Sequence, residues 1–258
     1  MAIKSVNGLA WASMKARNGL ARASIKSVNG LAAPAGGAPF GGLVSTTDLV
    51  DWWPLDEASG NAIGLHAGLD LTDNNTVTAG TGGPGSSNYR VFTRANSESF
   101  SRASEAAFQF GTGDFSVGCW FRTTNTNPLA GADQNTILGK HYTSFELFNY
   151  GGYIGGYCGG ATNSVGAIGT TPVSNNTWYH LVLQRSGTEL QLWINGTKLS
   201  TSTNSANADT ANALSFGVRP GPSGWLDADV NRAFIFKGRA LSSGEISALY
   251  NSGNGLDY

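Results

Sequence analysis

The sequence is poor in charge, in cysteine and in uninterrupted apolar stretches, and each shortage narrows what the chain can be. Charged residues make up 13% and the formal net charge is -1, so no excess of Lys and Arg displaces phosphate counterions, and nucleic acid is not an expected partner. Long helices draw on Glu, Lys, Leu and Arg, whereas 36 glycines and 10% aromatics favour many short strands joined by tight turns. Cys119 and Cys158 are too few for a disulfide framework; their spacing does not decide pairing, and two buried thiols is the plainer reading. No apolar run is long enough to cross a bilayer, and the opening residues lack the apolar stretch of a secretion signal. The expectation is a chain made and kept in the cytosol, or one that leaves by another route. His66, His141 and His180 show no metal-ligand spacing, and no Ser sits in a nucleophile-elbow motif.

What is present begins with a repeat. IKSVNGLAWAS, MKARNGLARAS and IKSVNGLAAP follow one another from Ile3, Met14 and Ile25 with a period of eleven. An eleven-residue period suits a right-handed coiled coil, but each copy contains Asn-Gly, which is a poor helix interior and a favoured two-residue hairpin turn. Turns at Asn7-Gly8, Asn18-Gly19 and Asn29-Gly30 make Leu9 to Arg17 and Leu20 to Val28 paired antiparallel strands. That register sets Ile3 opposite Ala12, Ala12 opposite Ile25 and Met14 opposite Ala23, with Trp11 between Lys4 and Lys26 on the other face. So small a meander needs a host surface, so residues 1–33 read as an anchoring arm, with Ile3, Trp11, Met14 and Ile25 as its contacts. Lys4, Lys15, Arg17, Arg22 and Lys26 come with no acid among the first 26 residues, which leaves an acidic partner for the arm open. Residues 34–43, with Pro34, Pro39 and paired glycines, have linker composition, and 44–258 form the main domain.

In that domain short alternating segments recur between turn clusters, the pattern of an antiparallel sandwich. Phe115, Val117, Cys119 and Phe121 share one face; Tyr179, Leu181 and Leu183 share another, as do Leu190, Leu192 and Ile194 before the hairpin signal Asn195-Gly196. Near the end, Ser242 and Glu245 make a capping box, and Ile246, Leu249 and Tyr250 give one short helix its apolar stripe.

Four segments carry a resemblance: Trp53-Pro54-Leu55-Asp56-Glu57-Ala58-Ser59-Gly60, Gly113-Asp114-Phe115-Ser116-Val117-Gly118-Cys119-Trp120-Phe121, Trp178-Tyr179-His180-Leu181-Val182-Leu183, and Phe234-Ile235-Phe236-Lys237-Gly238-Arg239-Ala240-Leu241-Ser242-Ser243-Gly244-Glu245-Ile246. With them, residues from about 49 to 253 resemble the laminin-G-like, concanavalin A-like lectin and glucanase domains of the bacterial and phage subgroup. The resemblance implies an all-β, two-sheet antiparallel jelly-roll sandwich that binds glycans or proteins, sometimes with calcium. Asn61-Ala62-Ile63-Gly64 stands where the family commonly has an Asp, a departure at its calcium-associated opening segment. The Glu-x-Asp-x-x-Glu strand of the glucanases is absent, so no enzymatic activity is expected.

Sugar recognition calls for aromatic faces beside polar groups. Trp120 and Trp193 point away from the apolar face of their own strands, either as a stacking platform or beneath covering loops. In Tyr150-Gly151-Gly152-Tyr153-Ile154-Gly155-Gly156-Tyr157 an extended chain puts Tyr153 and Tyr157 on one face, and the glycines leave room for a ligand or for close sheet packing. Asp227 and Asp229 share a face and could hold calcium, the single cofactor the sequence suggests. The combined expectation is a bacteriophage virion structural protein, as tail fibre, spike or capsid decoration, and a homo-oligomer. Its arm would meet other virion proteins or copies of itself, and its sandwich glycan or protein. The alternative is a bacterial glycan-binding or adhesion module outside any virus.

Overall fold

The computed structural model describes residues 39–124, 135–166 and 172–258, together with six two-residue strands ahead of them. Those six, β1 (Ser5–Val6), β2 (Leu9–Ala10), β3 (Ala16–Arg17), β4 (Leu20–Ala21), β5 (Ser27–Val28) and β6 (Leu31–Ala32), form three separate antiparallel ribbons. Val6 pairs with Leu9, Arg17 with Leu20 and Val28 with Leu31, so two residues separate the strands at each Asn-Gly, the spacing a two-residue turn requires. Ladder pairing among the described residues stops at two pairs per ribbon; Ile3, Trp11, Met14 and Ile25 lie outside the described residues.

The main body is a sandwich of two antiparallel sheets. The larger contains β7 (Leu49–Trp53), β9 (Thr78–Gly80), β10 (Tyr89–Phe92), β12 (Phe115–Thr123), β17 (Tyr179–Ser186), β18 (Glu189–Ile194), β19 (Thr197–Thr203) and β21 (Ala228–Lys237). Their order is β19-β18-β17-β12-β21-β10-β9, with β7 paired to the later half of β21. The smaller contains β8 (Thr72–Asn74), β11 (Ser99–Arg102), β13 (Asn135–Gly139), β14 (Phe145–Tyr150), β15 (Tyr153–Cys158), β16 (Ser164–Val165) and β20 (Leu214–Phe216), in the order β16-β15-β14-β13-β20-β11-β8.

Period-two alternation decides which side chains fill the space between the sheets. Phe115, Val117, Cys119 and Phe121 point inward from β12, Leu181 and Leu183 from β17, and Leu190, Leu192 and Ile194 from β18; Phe145, Leu147, Ile154 and Cys158 answer from the smaller sheet. Cys119 and Cys158 are buried free thiols, and burial pushes both up, Cys158 to about 11, so neither is a nucleophile at neutral pH. A Cβ on Gly156 would stand 2.4 Å from Leu183 Cδ1, so this glycine sets how closely the two sheets approach. Asn195 and Gly196 take φ of 51° and 78° in the turn from β18 to β19, the left-handed pair that such a hairpin demands.

A single helix, α1 (Ser243–Tyr250), follows β21. Ser242 caps it, accepting from the Glu245 backbone N–H while the Glu245 carboxylate accepts from that of Ser242. Its buried Ile246 and Leu249 lie over the outward face of the larger sheet, in a second apolar cluster with Trp52, Val182, Trp193, Phe234 and Phe236. Phe40 belongs to that cluster too, edge-on to Trp52 at 4.9 Å and to Tyr258 at 5.4 Å. Packed structure therefore begins inside the stretch read as linker. Its Pro and Gly content is real, but one aromatic among them finds a deep site.

Candidate ligand-binding face

The outward face of the smaller sheet has a different chemistry. On β14 the phase that sends Phe145 and Leu147 inward turns Glu146, Phe148 and Tyr150 outward, and on β15 it does the same for Tyr153, Gly155 and Tyr157. Glu146 pairs across the ladder with Tyr157, Phe148 with Gly155, and Tyr150 with Tyr153. A Cβ on Gly155 would be 2.4 Å from the Phe148 ring, so the bare backbone lets that ring lie flat and stack on Tyr157 at 4.7 Å.

Glu146 is fully buried and ionically matched. Its carboxylate accepts from Thr136 Oγ1 at 2.5 Å and from Arg219 Nε and Nη2 at 2.9 to 3.2 Å. A carboxylate removed from water needs such partners, and a two-nitrogen guanidinium contact is the strongest available. Arg219 comes from the loop after β20, whose backbone closes on itself through mutual bonds between Arg219 and Ser223. The guanidinium also lies 5.4 Å from the Tyr142 ring centroid, a cation–π contact.

Tyr142 sits in the turn between β13 and β14, which is tied down at both ends. Lys140, itself buried, donates from Nζ to Ser104 Oγ at 2.9 Å and to the Thr210 carbonyl at 2.8 Å, and Ser144 Oγ donates to the Ala208 carbonyl. Between these anchors His141 holds φ at 141°, a left-handed-side value that side chains seldom adopt, and its ring lies 4.0 Å from that of Tyr142. Burial, reinforced by the Arg219 charge, lowers the His141 pKa against the opposing pull of Glu146, so the ring is neutral at pH 7. The result is a shelf of half-buried Tyr142, Tyr150 and Tyr153 beside Tyr157, around a neutralised ion pair. Ring faces and edges suit the C–H patches of a sugar, and the phenol hydroxyls suit its hydroxyls. Among the described residues Glu146 is the one carboxylate at an outward position of these strands, while acid and base work on a glycosidic bond takes two.

The sequence-selected residues divide between the two sides of the molecule. Tyr153 and Tyr157 lie on this shelf. For Trp120 and Trp193 the structure takes the covered alternative, with a helix as the cover. Trp120 is 2% exposed and stacks on Tyr250 at 5.8 Å, and Trp193 is buried with its indole N–H donated to Gln191 Oε1 at 3.0 Å. Neither offers a ring to a sugar. Asp229 is occupied by Arg122, whose Nη2 lies 2.7 Å away, while Asp227 is exposed just before β21. The guanidinium thus supplies the positive charge that calcium would bring. Among the described residues no three His, Cys, Asp or Glu side chains gather as a metal site. Glu146, Arg219 and Tyr142 escaped the sequence reading; the usable signal was a lone carboxylate in the otherwise uncharged strand Phe145–Tyr150.

Comparison with known proteins agrees with this architecture. No curated protein matches the sequence. The binding domain of Paraclostridial mosquitocidal protein 1 superposes with a TM-score of 0.66 at 16% identity, over 80% of this chain and 52% of that one. Botulinum neurotoxin serotype D ligand-binding domain, solved with N-acetylneuraminic acid, gives 0.59 at 12% identity over 80% and 51%. Domain 4 of AbnA, an extracellular arabinanase from Geobacillus stearothermophilus solved with arabinotriose, gives 0.55 at 14% identity over 78% and 97%. This chain spans about half the length of the two toxin domains. Such likenesses establish a lectin-like sandwich fold. The sequence itself matches a family model across residues 96–247, and the chain belongs to the concanavalin A-like lectin/glucanases superfamily.

Proposed function

We propose that this chain is a glycan-binding sandwich of a bacteriophage particle, a tail-fibre, spike or capsid-decoration component, held in place by its first 33 residues. The observation that carries the binding half is the contrast in cover. One outward face is sealed by α1, while the other presents half-buried Tyr142, Tyr150 and Tyr153 beside a satisfied ion pair. The fold neighbours solved with arabinotriose and with N-acetylneuraminic acid support the same reading for this sandwich. The virion half is supported by the three hairpin repeats, ribbons too small to stand alone.

A glycan array probed with the full chain tests the first half. Binding is expected, and Tyr142→Ala should weaken it about tenfold, the effect of losing one aromatic contact, at nearly unchanged stability. A blank array with a folded protein would leave a structural cement role instead. Deleting residues 2–33 tests the second half: incorporation into phage particles should be lost while the sandwich stays folded. Unchanged incorporation removes the anchor and favours the reading of a bacterial glycan-binding or adhesion module outside any virus.

A further inference from the structure

The charge balance of the open face says what kind of sugar it can take, an inference that rests on the glycan-binding reading. A carboxylated or sulfated glycan needs a cation within reach whose charge is not already answered. Arg219 points Nε and Nη2 at Glu146, which is fully buried and has no water to turn to. Pulling the guanidinium toward a ligand would strand that carboxylate, at a cost greater than an exposed ligand charge returns.

The other cations on or near this sheet are each held in place. Arg94 is fixed on the neutral Asn135 side chain at the start of β13, away from Glu146 and Arg219 in the chain, and Arg102 pairs with Glu105 beyond the end of β11. Arg90 and Lys140 are fully buried, the first beside Glu57 and Asp73, the second on Ser104 and Thr210. His141 is neutral at pH 7, for the reasons of burial and the nearby Arg219 charge. Residues 125–134 and 167–171 contain no Lys or Arg, so neither segment can contribute a cation. What remains on the shelf is phenol, ring face, hydroxyl and one internally cancelled pair.

We infer that the open face selects uncharged oligosaccharides and discriminates against their sialylated, uronic-acid and sulfated counterparts. The decisive experiment applies the full-length protein to an array that carries neutral glycans beside acidic ones of matched backbone, then titrates the best ligand at low and high salt. Neutral spots should dominate, and the affinity should change less than about twofold between 50 and 500 mM NaCl, because no ion pair is being screened. Preferential binding of acidic spots, or a steep loss with salt, overturns the inference while leaving the glycan-binding reading intact. A wholly blank array sinks that reading and this inference with it.

Glu146→Gln sharpens the test by releasing the Arg219 charge. A folded variant should gain binding to N-acetylneuraminic acid-terminated glycans by about tenfold, a charge-assisted contact of about 1.4 kcal/mol. Unchanged selectivity in a variant with a native circular dichroism spectrum overturns the proposal. If the variant does not fold, the salt titration of the unaltered chain still decides.

Discussion

The two outward faces of this sandwich are built by the same alternation and meet opposite fates. On the larger sheet, Trp120, Val182, Trp193, Phe234 and Phe236 point outward and are sealed by α1, Phe40 and neighbouring chain. On the smaller, the outward set is Thr136, Glu146, Phe148 and tyrosines, and the charged member is cancelled within the face. Large apolar side chains recruit a cover because leaving them in water forfeits roughly 2 kcal/mol apiece. Tyr142, Tyr150 and Tyr153 tolerate water and stay half-exposed to a ligand, while Thr136 and Glu146 are buried and answered by each other and by Arg219. Position in a strand decides which face a residue joins; its chemistry decides whether that face becomes core or surface.

The comparison breaks most visibly at Trp120. Trp120→Ala empties a volume enclosed by His180, Tyr250 and the sheet, and is expected to cost about 3 to 5 kcal/mol in urea denaturation while glycan affinity of the folded fraction stays unchanged. A loss of affinity without a loss of stability would mean that the covered face, not the open one, meets the ligand.

His180 gives the next effect, and a pH dependence. Its ring is 1% exposed, packed 5.3 Å from Trp120, 6.1 Å from Phe234 and 6.5 Å from Tyr250, with Nδ1 unpartnered among the described residues. Burial drives its pKa down to about 3. An unfolded histidine titrates near 6.5, so between those values the unfolded chain holds a proton that the folded chain refuses. Stability is therefore complete above pH 6.5 and drains away as the pH falls toward 3, at a rate of up to about 1.4 kcal/mol per unit. His180→Phe should remove that slope, so the variant gains about 2.7 kcal/mol on the unaltered protein between pH 7.5 and 4.5. Parallel pH profiles for the two proteins would show that the ring reaches water.

How much of this was legible depended on the range of the interaction. Strand phases, the Asn195-Gly196 hairpin and the Ser242 cap are written within a few residues, and each took the form its sequence demands. The alternation also put Trp120 and Trp193 correctly on one face. What it could not supply was the cover, since α1 lies over a hundred residues beyond Trp120 and Phe40 arrives from a stretch of linker composition. Glu146 and Arg219 stand 73 residues apart on separate strand and loop, so no local pattern announced their pairing. Asp229 misled for a similar reason: its strand shows a second aspartate nearby, while its actual partner, Arg122, lies 107 residues away.

The smallest expected effect asks whether the cover is held by its packing or by its cap. Ser242→Ala removes the hydroxyl that accepts from the Glu245 N–H, but the Glu245 carboxylate keeps the Ser242 N–H and its contact with Arg239. One orphaned helix donor then faces partly exposed chain, where water can reach it, so the cost should be about 1 kcal/mol, well below that of Trp120→Ala. Amide exchange along α1 should quicken while β12 and β17 keep their protection, because Ile246 and Leu249 still seat the helix on the sheet. A loss as large as that of the tryptophan would place the closure of this face in the cap, and the argument that outward apolar residues recruited the helix would fail.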